Sequence, residues 1–333
     1  AYGHADVAAG TPLTADTLFR LYSQTKPLVL VAFLILLERG VVSLDDPVSK
    51  YIPGFQQAVV GEKRKPILRP IAVRDLVAHT SGVGFGPGFH YVAENDYEKT
   101  YVDLVSRVDK KEIQSLAEWC DEVAKLPLRF QPGKDWGYGY SSDILGRVIE
   151  VAGGRPLDEF LEAEVIAPLG MKDTFFAVPM EKVHRLSALY KREPWDGSGK
   201  QRVRFVTADA GGSGVTEDIS KSVYCKPSEP DDLAASAPSS SVFLMGGQAG
   251  QVVQGGGCVC SIAGGLVSSL RDYARFSQMI VNGGEINGLR VLKPESVKLL
   301  ARDWLNDFTL EKRRKPLFVW LGCNECYFVF FVL

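Results

Sequence analysis

The sequence predicts a mixed helix-and-strand fold built around one helix that protein must enclose on every side, and three observations predict it. From Leu28 to Leu37 every residue is apolar, so the helix carrying this run has no polar face to turn to water. Apolar residues recur at helical spacing elsewhere, as in Leu145, Val148, Ile149 and Ala152. Short strand-like runs lie among these segments, such as Arg202 to Val206 and Ala263 to Ser269. With 333 residues, the chain is long enough for one large domain or two intimate subdomains around a substantial core.

The central helix is expected over Ser23 to Arg39, with Ser23 at its N-cap and Gly40 at its C-cap. A serine and a lysine three residues apart share one face of the first turn, so Lys26 can reach the Ser23 hydroxyl. The short approach Thr17 to Tyr22 then places this serine at a strand-or-turn to helix junction, where helix N–H groups favour developing negative charge. Ten apolar residues fall well short of the roughly 20 that a bilayer span needs, so no transmembrane segment is expected.

Past Gly40, Val41 to Val48 reads as a turn into a short helix that Pro53-Gly54 breaks. Pro70 to Gly82 looks like a helix stopping in a Thr-Ser-Gly turn. Within it His79 is weighed as a catalytic base against a structural role at a helix end, and the structural role is preferred. Residues 83–100 read as a loop near the cleft and residues 101–125 as charged helical segments. The Pro132-Gly133 turn delivers an aromatic loop with Tyr138 and Tyr140, followed by a helix up to Gly153-Gly154. A phenol buried beside a lysine can be held as phenolate and act as a general base. Pro156 to Gly170 carries another amphipathic helix, Phe175 to Val178 a strand, and residues 208–257 a loop insertion rich in Gly, Ser, Ala and Pro. A helix from about Asp272 ends at Asn282-Gly283-Gly284, and this glycine pair, with no Lys-Ser/Thr after it, is read as close backbone packing against the site. A further helix starts at Leu292 to Glu295, and the segments Phe318 to Gly322 and Tyr327 to Leu333 are strand-like.

Composition excludes several function classes. Hydrophobic content of 46%, charged content of 23% and a net charge of −2 are ordinary globular values, so no nucleic-acid partner is expected. Lys312 to Lys315 reads as a solvated basic loop. Cys120, Cys225, Cys258, Cys260, Cys323 and Cys326 form no disulfide framework and lack His partners at zinc spacing, so reduced thiols and no metal are expected. No signal peptide is visible, and a soluble, cytoplasmic protein is the default; the chain starts at Ala1, so its N-terminus is open to being incomplete.

Leu18 to Pro27, with its Ser23-Gln24-Thr25-Lys26 core, resembles the first motif of the class C β-lactamase-related serine hydrolases, a family of esterases, transesterases and D-Ala-D-Ala peptidases. Leu44 to Val48, Arg74 to Gly82, Pro168 to Thr174, Gly264 to Ser269 and Asp272 to Phe276 continue the resemblance in family order across residues 1–310. The resemblance implies a β-lactamase/transpeptidase-like fold, an antiparallel sheet flanked by helices with a mostly helical subdomain. The expected division is one domain over residues 1–333, with 1–66 and 170–333 forming the α/β part and 67–169 the helical subdomain.

The same resemblance implies that Ser23 is acylated with the help of Lys26 and a tyrosine. It places the tyrosine's role on Tyr138, two residues after Trp136, with Tyr140 as the alternative base. The asparagine of a β-lactamase Tyr-x-Asn motif is replaced by Tyr140 or, if Tyr140 is the base, by Ser142, which favours esterase or transesterase chemistry on a small-molecule ester or amide without any cofactor. The third motif has one candidate, Trp320-Leu321-Gly322, which would supply an oxyanion-hole N–H. It arrives about ten residues after Leu310, where the family has a longer segment, so a truncated or altered C-terminus is the competing expectation. The alternative functions are a non-catalytic binding or assembly protein, a β-lactamase or D-Ala-D-Ala carboxypeptidase, and a Ser-His-Asp hydrolase using His79. The sequence leaves the oligomeric state open.

Overall fold

Helix α1 (Thr25–Glu38) runs through the middle of the fold, and its sequence dictates that place. Leu28, Val29, Val31, Ala32, Phe33, Leu34, Ile35 and Leu36 are all buried, which takes in every face of the helix. The computed structural model describes residues 3–6, 9–85, 100–101, 103–104, 107–108, 110, 112–188 and 265–305. The strand-like segments at 202–206 and beyond Phe318, the insertion at 208–257, His90, Trp320 and Gly322, and every cysteine except Cys120 lie outside the described residues.

Both ends of α1 have local causes. At the C-terminus Gly40 takes a left-handed conformation (φ 69°), its N–H bonds Leu37 O, and the Val41 N–H bonds Leu36 O, which together close the last turn. At the N-terminus the expectation is corrected: Ser23 is not the N-cap. A 3-10 turn over Tyr22–Gln24 precedes the helix, and the cap position falls on Gln24, with no side chain accepting a helix N–H. The Tyr22 backbone, at φ 48°, bends the chain before the helix begins. Gln24 N–H bonds Leu21 O and the Thr25 N–H turns to the carbonyls of Tyr22 and Ser23, so these two leading donors are served by backbone and not by the serine hydroxyl.

The strand leading into this turn is β3 (Leu18–Arg20), after a first hairpin of β1 (His4–Asp6) and β2 (Thr11–Pro12). It pairs antiparallel with β6 (Val267–Ser269), in the register Leu18 to Ser269 and Arg20 to Val267. Isolated bridges from Phe175 to Val267 and from Leu18 to Leu186 flank this pair, so the strand expected at Phe175 to Val178 is a single bridge. Two further antiparallel hairpins, β4 (Val59–Val60) with β5 (Lys65–Pro66) and β7 (Glu285–Ile286) with β8 (Leu289–Arg290), lie at the periphery.

Helices cover α1: α2 (Val73–Val77), α3 (Leu116–Lys125), α4 (Ser141–Gly153) and α5 (Leu157–Leu161), the last continuing through a π-helical turn at Glu162–Ile166. They share one core with α6 (Leu270–Val281) and α7 (Pro294–Leu300). The short helix expected before Pro53 is a 3-10 turn over Val48–Lys50, and Pro53 opens a second one over Pro53–Gln57, because a proline's missing N–H is no loss in a first turn. The Gly283-Gly284 pair packs beside Val291 and Leu292, next to Lys293, whose N–H bonds Glu38 at the far end of α1. That is roughly 20 Å of helix away from Ser23, so this pair does not pack on the site. Among the described residues no helix is long and apolar enough to cross a membrane.

One close contact fixes the Ser23 turn to the sheet. Leu266, just before β6, accepts the Leu21 N–H at 2.9 Å and donates its own N–H to Thr25 Oγ1 at 2.9 Å. The neighbouring Gly265 sits at φ 51°, and a Cβ there would fall 2.2 Å from Thr25 Oγ1, so only glycine fits. Thr25 and Leu266 are both fully buried, which leaves no water to replace a lost partner. A Thr25→Val variant is therefore expected to lose about 1–3 kcal/mol of stability in urea denaturation with an unchanged m-value; a loss below about 0.5 kcal/mol would mean the contact is not needed.

Candidate active site

Ser23 lies half-buried at the N-terminal end of α1, and two side chains converge on its hydroxyl. Lys26 Nζ donates to Ser23 Oγ at 3.0 Å, as a spacing of three residues across the 3-10 to α junction allows. The Tyr138 hydroxyl is 3.5 Å from the same Oγ, across 115 residues of chain. Lys26 Nζ also lies 5.4 Å from the centre of the Tyr138 ring, within reach of its π face. Three of the residues that the sequence nominates therefore meet at one oxygen.

Tyr138 is placed by a loop laced to the turn that follows α2. Gly137 N–H bonds His79 O, Gly133 N–H bonds Thr80 O, and Tyr140 N–H bonds Gly84 O. Gly139 passes so close to Val83 O that a Cβ would sit 2.1 Å away. The turn itself is anchored by Asp75, which is buried, takes a two-point ion pair from Arg69 and accepts hydrogen bonds from Ala72 N and Thr80 Oγ1. Ser81 and Ser141 hydroxyls meet at 2.9 Å and tie the same turn to the start of α4.

Tyr140 is not brought to Ser23. Its ring is buried among Phe85, Tyr101 and Trp119, where it builds the core beneath the loop. The residue two positions after Tyr138 is thus a tyrosine packed in the core and not an asparagine. Trp136 is 37% exposed at the outer edge of the loop.

Sequence reasoning placed His79 in a structural role at a helix end, and the structure adds a contact it did not foresee. The imidazole stacks on the Tyr138 ring with centroids 5.3 Å apart and planes 13° from parallel, while Phe85 meets that ring edge-on at 5.2 Å. Its Nδ1 is shut off from water and has no hydrogen-bond partner among the described residues. Burial, and then the nearby Lys26 charge, lower its pKa from 6.5 to about 4. With its pKa held near 4 the imidazole is a weak base, and among the described residues the side chains hydrogen-bonded to Ser23 Oγ are Lys26 and Tyr138, while His79 stacks on the Tyr138 ring. Tyr273 is a second addition: its hydroxyl bonds Gln24 O at 3.2 Å and braces the serine turn, and burial pushes its pKa up to about 12. The motif from Asp272 to Phe276 was the available signal for it, but only the fold shows which carbonyl it reaches.

A known family and several known proteins are similar to this chain. The family model described as Beta-lactamase matches residues 1–320. Protein Rv1367c of Mycobacterium tuberculosis is 28% identical over 312 residues, covering 92% of this chain and 64% of that protein. Esterase EstB of Burkholderia gladioli is 37% identical over 180 residues, covering 53% of this chain and 43% of that one. The chain thus spans less than two thirds of either relative's length. Among solved structures, EstCE1, described as a hydrolase with promiscuous acyltransferase activity, aligns with a TM-score of 0.60 and 22% identity over 91% of this chain and 68% of that chain.

The buried imidazole makes a pH prediction. The unfolded chain takes up a proton on His79 near pH 6.5 and the folded chain only near pH 4, so the unfolded state binds more protons between these values. Stability from this group is intact above about pH 6.5 and falls as the pH drops through that window. In urea titrations from pH 7 to pH 4, a His79→Phe variant is expected to lose less stability than the wild type; equal losses would show that the folded protein protonates His79 freely.

Proposed function

Because this chain belongs to the Beta-lactamase family, we propose that it is a serine hydrolase that forms an acyl-enzyme on Ser23 and acts on small acyl esters. One observation carries the reading: Ser23 Oγ is within 3.0 Å of Lys26 Nζ and 3.5 Å of the Tyr138 hydroxyl, so an amine and a phenol both attend one nucleophile. As Ser23 Oγ bonds the ester carbonyl carbon, its proton passes to the Lys26–Tyr138 pair. The tetrahedral oxyanion rests on backbone N–H groups, with Ser23 N–H as one donor; the second donor that the family resemblance implies, near Gly322, lies outside the described residues. The pair returns the proton to the leaving alkoxide as the carbon–oxygen bond breaks. Water, or another alcohol, then gives up a proton to the same pair and attacks the acyl carbon; the bond from that carbon to Ser23 Oγ breaks, the pair returns the proton to Ser23 Oγ, and the acid or a new ester is released. The chemistry asks for no metal or organic cofactor.

Esters are favoured over β-lactams for a physical reason. With Tyr140 buried two residues beyond Tyr138, no carboxamide is available there to hold a lactam's amide. The Burkholderia relative is named an esterase, which supports the same direction. The division into an α/β part and a helical part over 67–169 belongs to this proposal too, with the site at their junction.

Hydrolysis of p-nitrophenyl acetate and butyrate is expected to vanish in Ser23→Ala and to fall by about 10²–10⁴ in Tyr138→Phe, while nitrocefin, a chromogenic β-lactam, is left intact. Ester turnover that survives Ser23→Ala would refute the assignment, and efficient nitrocefin turnover would overturn the preference for esters.

A further inference from the structure

His79 occupies a backbone position that glycine usually fills. Helix α2 ends in a double-bonded turn in which Thr80 N–H bonds Asp75 O at 2.8 Å and His79 N–H bonds Leu76 O at 3.3 Å. In such a turn the residue corresponding to His79 is left-handed, and here its φ is 55°. At the ends of α1 and α4 the matching left-handed residues are Gly40 and Gly154. A side chain is thus carried where none is needed for the turn, and it ends in a ring with a buried Nδ1 that no hydrogen bond serves. Two unfavourable features converge on one residue, and the contact they accompany is the stack on Tyr138.

We propose that His79 is a positioning residue for Tyr138, whose stacked imidazole fixes the plane of the phenol ring and so holds its hydroxyl at Ser23. The inference rests on the acyl-transfer reading above, in which Tyr138 shares the serine proton. Phe85 closes on Tyr138 edge-on and Lys26 lies over the ring, so the phenol is bounded by an imidazole, a phenyl edge and an ammonium or amine. Burial keeps the imidazole neutral at physiological pH, which spares the site a second cation beside Lys26. Swinging about its Cα–Cβ bond without the stack, the ring would carry its hydroxyl away from an oxygen already 3.5 Å distant.

The test uses the full chain with p-nitrophenyl acetate and a set of variants. His79→Gly removes the ring while giving the turn its usual residue, so the fold is expected to survive, as far-UV circular dichroism would report. Its kcat is expected to fall about 10- to 100-fold with KM within about twofold, since a misplacement on the ångström scale is worth that much. His79→Phe keeps a flat ring and is expected to recover most of the lost kcat. In a Tyr138→Phe background His79→Gly is expected to add nothing further. Full turnover in His79→Gly, no recovery in His79→Phe, or equal losses in both backgrounds would each overturn the inference. Turnover that persists in Ser23→Ala or is untouched by Tyr138→Phe instead removes the acyl-transfer reading. A measurement independent of turnover covers an inactive protein: the ring resonance of Tyr138 in ¹³C-tyrosine-labelled protein, assigned by its absence in Tyr138→Phe, is expected to shift in His79→Gly and hold in His79→Phe. An unmoved resonance overturns the inference whether or not ester is hydrolysed.

Discussion

A helix that is apolar on every face leaves the rest of the chain one overriding task, which is to cover it. Each large side chain of α1 removed from water contributes roughly 1.5–3 kcal/mol, and truncating one inside a packed core costs about 2–5 kcal/mol. Seven such residues lie buried between Leu28 and Leu36, so no arrangement that leaves one side open competes with full enclosure. Helices α2, α4, α5 and α7 are held in the same core by this requirement. The position of Ser23 follows, because it stands where the buried helix reaches the edge of its cover.

That edge must carry polar chemistry without being flooded. The sheet supplies the first part of the answer: Leu266 bonds the chain on both sides of Ser23, and Tyr273 holds Gln24 O, so the serine turn is fixed by three hydrogen bonds that do not involve the serine hydroxyl. The loop from Gly133 to Tyr140 supplies the second, hung on the carbonyls of His79, Thr80 and Gly84. Asp75 and its ion pair with Arg69 anchor that turn from below. The two halves of the site belong to different parts of the chain and meet at a single oxygen.

Residues whose role is set by local chemistry could be read from the sequence. The apolar run of α1, the glycine at its end, and the three-residue spacing from Ser23 to Lys26 all follow from periodicity and capping, and the family motifs gave Tyr138. The preference of serine for helix caps points to Ser23 as the start of α1, whereas the cap position falls on Gln24. In the 3-10 turn the Gln24 and Thr25 N–H groups bond backbone carbonyls and do not use the serine hydroxyl. Tyr140 and Tyr138 look alike in sequence, and only packing against Tyr101 and Trp119 separates a core ring from a site ring. His79 was read as structural because a histidine at a helix end usually is; its stack on Tyr138 depends on two loops meeting, which no local pattern encodes.

Backbone strain follows the same division. Four residues other than glycine have positive φ: Tyr22, Arg64, His79 and Asn287, among the described residues. Arg64 and Asn287 sit in the connections of the β4–β5 and β7–β8 hairpins, where a left-handed residue makes the turn. Tyr22 and His79 are different. One precedes the serine and the other underlies the tyrosine that meets it, and a left-handed conformation is worth roughly 1–2 kcal/mol against an L-residue. Both are over-determined by their surroundings, Tyr22 between the β3–β6 pair and α1, His79 between α2 and the tyrosine loop. The strain is held at the two points from which the serine and the phenol are aimed at each other. A relaxed backbone at either point would re-aim the side chain beside it, so the stability spent there is coupled to the geometry at Ser23 Oγ.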